Sequence, residues 1–108
     1  MRIFKVFRAA EWAKLSTQGR TSGAPVDRAD GFIHFSTQDQ LGETLARHFK
    51  GLTDLVLVAC EADDLGPALK WEPSRGGADF PHLYRDLTTD DVLWHREIPR
   101  EGIAGLTL

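Results

Sequence analysis

The sequence predicts a small α+β domain, and three stretches carry that reading. Arg2 to Arg8 alternates basic with apolar residues, as a strand does. Asp54 to Cys60 is almost continuously apolar, which reads as a strand buried on both faces. Between them, Thr37 with Gln40 fits a capping box ahead of Leu41, Leu45 and Phe49 at four-residue steps, which predicts a helix. Strand and helix periods thus interleave within 108 residues, a length that predicts one domain spanning 1–108 with a core of its own.

Composition narrows the partners. A net charge of −3 leaves no basic footprint for duplex nucleic acid, although a local pocket for one phosphate remains compatible with it. Cys60 is the single cysteine, so neither a disulfide framework nor a cysteine metal site is expected. No apolar run approaches the roughly 18–20 residues of a membrane span. The N-terminus reads as a strand rather than a signal peptide, and the expected setting is the cytoplasm.

Taken in order, the first strand places Ile3, Lys5 and Phe7 on one side and Phe4, Val6 and Arg8 on the other. Aromatics on both faces make it a central strand, and Lys5 and Arg8 are expected to be solvated. Ala9 to Leu15 reads as a short helix, with Gly19 as its C-terminal cap. Residues 19–31 hold four glycines or prolines among Asp27, Arg28 and Asp30, and read as a long loop bordering any site. In Phe32 to Thr37, alternation puts Phe32, His34 and Ser36 on one face and Ile33 and Phe35 on the other. Asp39 and Glu43 near the start of the next helix, and Arg47, His48 and Lys50 near its end, suit the macrodipole. Asp63 to Pro67 reads as a turn. Leu69 to Glu72 reads as a strand running into a Pro73–Gly77 loop, and Phe80, His82 and Tyr84 share one side of the next. Val92 to Ile98 reads as the last strand, with His95 at the surface.

The side chains able to do chemistry are therefore His34, Ser36, Glu72, Arg75, His82 and Tyr84, with Thr37 at the helix start. No His-x-x-x-His spacing, phosphate-binding glycine loop or nucleophile elbow is present, and no metal is expected. Arg75 beside Gly76 and Gly77 suits a phosphate or carboxylate. Glu72 reads as a base or as the ion-pair partner of Arg75. A polar pocket with aromatic walls, an arginine and a helix N-terminus suits a small anionic ligand such as a nucleotide. Each residue also has a plainer reading, with satisfied histidines in the core and Ser36 or Thr37 as a helix cap.

The run Asp30 to Thr37 with Gln40, then Trp71 to Gly77, then Phe80 to Tyr84, resembles the bacterial family called domain of unknown function 952, over essentially the whole chain. More distantly, the sequence is similar to the ADP-ribosyltransferase-like superfamily, which includes RNA 2′-phosphotransferases. That resemblance implies split antiparallel sheets with two or three short helices, flanking a cleft that takes NAD as substrate. It implies catalytic roles for His34, Glu72 and His82, and ligand contacts from Ser36, Thr37, Arg75 and Tyr84. His34 would bind a ribose, Glu72 would orient the attacking group, and Tyr84 or Phe32 would stack on a ring. The superfamily commonly sets a histidine or an arginine on its first core strand, whereas the first strand here carries Lys5 and Arg8 and no histidine. The alternative is a non-catalytic module that binds a small anionic metabolite in the same pocket.

Overall fold

The computed structural model describes residues 1–108, with Arg75 described by its backbone only. Strand β1 (Arg2–Arg8) leads into α1 (Ala9–Gln18), β2 (Arg20–Thr21), α2 (Pro25–Asp30), β3 (Ile33–His34) and β4 (Ser36–Thr37). Helix α3 (Gln38–His48) and strand β5 (Leu55–Glu61) follow. The chain closes with β6 (Leu69–Pro73), β7 (Asp79–Leu83), β8 (Leu87–Thr88) and β9 (Trp94–Glu97). The strands form a four-stranded sheet in the order β4-β1-β5-β9, a three-stranded sheet in the order β3-β7-β6, and a β2-β8 ribbon, all antiparallel.

β1 and β5 pair along their full length, from Arg2 opposite Glu61 to Arg8 opposite Leu55. Both carry apolar residues on both faces, so the sheet has a core on each side. Ile3, Phe7, Val56, Val58 and Cys60 face Leu15 of α1 and Ile33, Phe35 and Leu83 of the smaller sheet. Phe4, Val6, Leu55, Leu57 and Ala59 face Leu41 of α3. Leu41 is fully buried there, which by area stabilises the helix by about 2 kcal/mol relative to leaving that side chain in water.

Local signals place the helix ends. Thr37 Oγ1 accepts from the Gln40 amide at 3.3 Å, and the Thr37 amide donates to Gln40 Oε1 at 3.0 Å, closing the expected capping box. Gly19 ends α1 at φ 79°, its amide donating to the Leu15 carbonyl at 2.8 Å.

The structure corrects three expectations. The stretch around His34 is two short strands in different sheets. Ile33 and His34 pair with Leu83 and His82, whereas Ser36 and Thr37 pair with Phe4 and Ile3. Phe35 makes the crossing, its side chain buried and its amide donating to the Pro81 carbonyl at 2.9 Å. Residues 19–31 hold β2 and the six-residue α2, begun by Pro25 and ended by Gly31 at φ 86°. Lys5 is buried rather than solvated, because Asp27 of α2 meets it. Among the described residues no helix is long and apolar enough to cross a membrane.

Candidate functional site

The site begins with the register of the smaller sheet. His34 lies directly opposite His82 across β3 and β7, so both side chains leave the same face. Lys70 opposes His82 and Glu72 opposes Phe80 across β6 and β7, and alternation adds Tyr84 to that face. The other face spends Ile33 and Leu83 on the core. The hydrophobic pattern thereby leaves two histidines, a glutamate, a lysine and a tyrosine on one surface. The Phe32 ring sits among them, stacked on His82 at 4.1 Å between centroids, 4.6 Å from His34 and 5.1 Å from Tyr84.

Each histidine is held by a carboxylate. His34 Nδ1 lies 2.6 Å from Asp27 Oδ1, and its Nε2 lies 2.9 Å from Asp30 Oδ2. Asp27 is 1% exposed and is the hub of this corner. It also accepts from Lys5 Nζ at 2.8–3.0 Å, from the Ala24 amide at 2.8 Å and from the His34 amide at 3.1 Å. Burial pushes its carboxyl upward, but the hydrogen bond from His34 and the charge of Lys5 outweigh that and hold it at about 2. Burial likewise draws the Lys5 ammonium down from the usual lysine range, with Asp27 pulling the other way. With Asp27 ionised, His34 Nδ1 is the donor in their contact.

On the neighbouring strands, Glu72 Oε1 takes both the Tyr84 hydroxyl at 2.6 Å and His82 Nδ1 at 2.8 Å. The Tyr84 hydrogen bond and then His82 hold the Glu72 carboxyl below its usual range, and the same Tyr84 bond pushes the phenol up. A histidine fixed at one nitrogen by a carboxylate keeps its orientation, as acid–base work and ligand recognition both require.

A cavity of about 440 Å³ opens between β1, α2, α3 and the smaller sheet, a size typical of small-molecule sites. Of the residues expected at the site, His34, His82 and Ser36 line it. Ser36 is buried, with its Oγ 2.7 Å from Thr44 Oγ1. Glu72 and Tyr84 do not line it; Glu72 holds His82, which does, and Tyr84 holds Glu72. Thr37 is occupied by its capping role. The Arg75 side chain, including its expected pairing with Glu72, lies outside the described residues. Sequence reasoning did not single out Asp27, which holds His34 from behind, and it favoured a solvated Lys5 where the structure has Lys5 lining the cavity. The one local sign was Pro25 two positions ahead of Asp27, which marks a helix start with an acid in its first turn. A larger groove of about 830 Å³ runs between the end of α3 and the chain after β9, away from the histidines. Cys60 is fully buried, and burial pushes its thiol up to about 12, so it is a core residue.

No curated protein matches the chain. Among solved structures, it is similar to protein CC0527 from Caulobacter crescentus. The crystal structure of that protein is 48% identical over 94% of this chain and 91% of its own, with a TM-score of 0.89. A double-mutant crystal form gives 46% identity and 0.89, and the solution structure 48% and 0.80. Residues 6–95 match the family model described as protein of unknown function DUF952. With that match across most of the chain, and a relative of nearly half-identical sequence that shares the fold, the chain belongs to the DUF952 family.

Proposed function

We propose that the cavity binds a nucleotide-type anionic ligand and that the chain acts on it as a transferase of the ADP-ribosyl kind, with NAD as donor. The observation that carries this reading is the pair of histidines, His34 and His82. They leave adjacent strands on one face at the wall of a ligand-sized cavity, each oriented by its own carboxylate. Transfer from a ribosyl carbon passes through a cationic sugar, and such chemistry needs positioning and charge stabilisation more than a strong nucleophile. In this reading His34 binds a ribose hydroxyl, and Glu72, through His82, sets the orientation of the attacking group. The split antiparallel sheets fit the ADP-ribosyltransferase-like relationship expected from the sequence.

One observation favours the non-catalytic alternative, a binding module for a small anionic metabolite. Asp30 already engages Nε2 of His34, the nitrogen a substrate would use. Amide NMR shifts recorded during titration with NAD, ADP-ribose and phosphate test the reading. Saturable shifts at residues 33–36 and 80–84 on adding NAD are expected. His34→Ala is expected to lower turnover by about 10²-fold or more while the fold persists. Saturable binding without any product selects the binding module, and no shifts at millimolar NAD overturn NAD-dependent transfer.

A further inference from the structure

The two histidines of the cavity differ at their second nitrogen. His34 has a carboxylate oxygen at each, Asp27 at Nδ1 and Asp30 at Nε2. His82 has only Glu72, at Nδ1, and its Nε2 has no hydrogen-bond partner among the described residues. The His82 side chain is nevertheless only 7% exposed, with the Phe32 ring stacked on it. A buried polar atom without a hydrogen bond is uncommon in folded proteins, and a catalytic role is one of the few reasons for keeping one. The two nitrogens of an imidazole point to opposite sides of the ring, so Nε2 is turned away from Glu72. His82 lines the cavity and Glu72 does not, so Nε2 is turned toward ligand space. Glu72 also sets the state of that nitrogen. Its carboxyl is held below the usual range, so at neutral pH it is ionised and only accepts. Oε1 takes the Tyr84 hydroxyl proton and the Nδ1 proton of His82. The neutral ring then carries its lone pair at Nε2.

We infer that His82 is the base of the site, its Nε2 taking the proton of a hydroxyl that attacks the ribosyl carbon, with Glu72 and then Tyr84 as positioning residues behind it. The inference rests on the transferase reading, and it names the acceptor as an alcohol or water. A lone pair at Nε2 accepts only from a donor. A carboxylate acceptor has no proton to offer, and an alkylamine is cationic at neutral pH and has no lone pair until it loses one. A hydroxyl attacks while its proton leaves. In the step, the bond from the ribosyl carbon to the pyridinium nitrogen of NAD breaks, and its electron pair departs with neutral nicotinamide. A carbon–oxygen bond forms to the acceptor, and the hydroxyl proton passes to Nε2 and then to solvent. The leaving group takes no proton, so one base is enough.

Two measurements test this. Nitrogen NMR of the histidine side chains in the free protein is expected to show neutral His82 protonated at Nδ1 and bare at Nε2. Glu72→Gln should spread that proton over both nitrogens. A proton on Nε2 of the neutral ring in the unaltered protein overturns the inference before any ligand is added. The second measurement is NAD consumption with methanol present, with ADP-ribose and methyl ADP-ribose separated by chromatography. Both products are expected, and His82→Gln should lower their formation by about 10²-fold or more. Turnover that survives in a folded His82→Gln overturns the base and leaves the transferase reading standing. If His82→Gln does not fold, Glu72→Gln answers in its place: turnover should fall as the tautomer is lost, and unchanged turnover overturns the inference. Consumption only when acetate or methylamine replaces methanol overturns the hydroxyl acceptor. NAD that binds and is never consumed brings down this inference and the transferase reading together.

Discussion

At the scale of single residues, Asp27 carries the most consequence. It neutralises a buried lysine, orients the His34 ring and holds two backbone amides, all from a position almost without exposed surface. Removing one partner of a buried ion pair leaves the other charge stranded. Asp27→Asn is therefore expected to cost about 3–5 kcal/mol, read as a lower midpoint in urea unfolding. Adding Lys5→Met should recover part of that loss, because no charge then remains uncompensated. The pH dependence has a definite sign. The folded Asp27 carboxyl sits at about 2, below its ordinary value, so its contribution is whole above the unfolded pKa and is lost as pH falls through about 2. That contribution is about 2 kcal/mol, and Asp27→Asn should flatten the fall in stability between about pH 4 and about pH 2. An equally steep fall in the variant would assign acid sensitivity to other carboxylates.

At the scale of elements, α2 is the wall of the cavity that sequence periodicity did not reveal. Pro25 to Asp30 is half polar and six residues long, too short for a 3.6-residue stripe to emerge. It is held in place by Asp27 contacts that span 22 residues to Lys5, a pairing with no local trace. The two-residue strands around Phe35 were hidden for a related reason. Alternation gave the right faces for Phe32, His34, Ile33 and Phe35, but which sheet each pair joins depends on partners far along the chain. By contrast, α3 was legible because its cap, apolar face and charge order lie within a dozen residues and agree. At the site, the shared face of His82 and Tyr84 was legible from alternation, whereas the carboxylates holding each histidine come together only in the fold. Gly23 tests how tightly α2 is seated. It sits at φ 99°, and a Cβ there would meet Asp27 Oδ2 at 2.3 Å, whereas a Cβ on Gly31 at φ 86° would meet nothing within 4 Å. Both alanine variants bear the left-handed strain of about 1–2 kcal/mol, but only Gly23→Ala also displaces Asp27. Gly23→Ala should be the more destabilising and should speed exchange of the Ala24 amide, while Gly31→Ala leaves that amide unchanged. Equal effects from the two would mean that α2 tolerates displacement of its hub.

At the scale of the whole molecule, two cores share one strand. β5 gives Val56, Val58 and Cys60 to one side and Leu55, Leu57 and Ala59 to the other, so neither core can loosen without disturbing the strand the other needs. This coupling predicts cooperative unfolding, and Cys60 reports on it. Its thiol is fully buried and pushed up to about 12, so it is neither accessible nor ionised in the native state at neutral pH. Labelling by a thiol reagent must then follow an opening that frees β5. Leu57→Ala removes a fully buried side chain from the opposite core and should cost about 2–5 kcal/mol. If the strand couples the cores, Cys60 labelling under native conditions should accelerate by the same free energy, although Leu57 and Cys60 belong to different cores. Each 1.4 kcal/mol lost then raises the labelling rate about tenfold, provided reclosing outpaces the reagent. A labelling rate unmoved by Leu57→Ala, with the variant clearly destabilised in urea, would mean that the core around Cys60 opens on its own and that the two sides of the sheet are separate units.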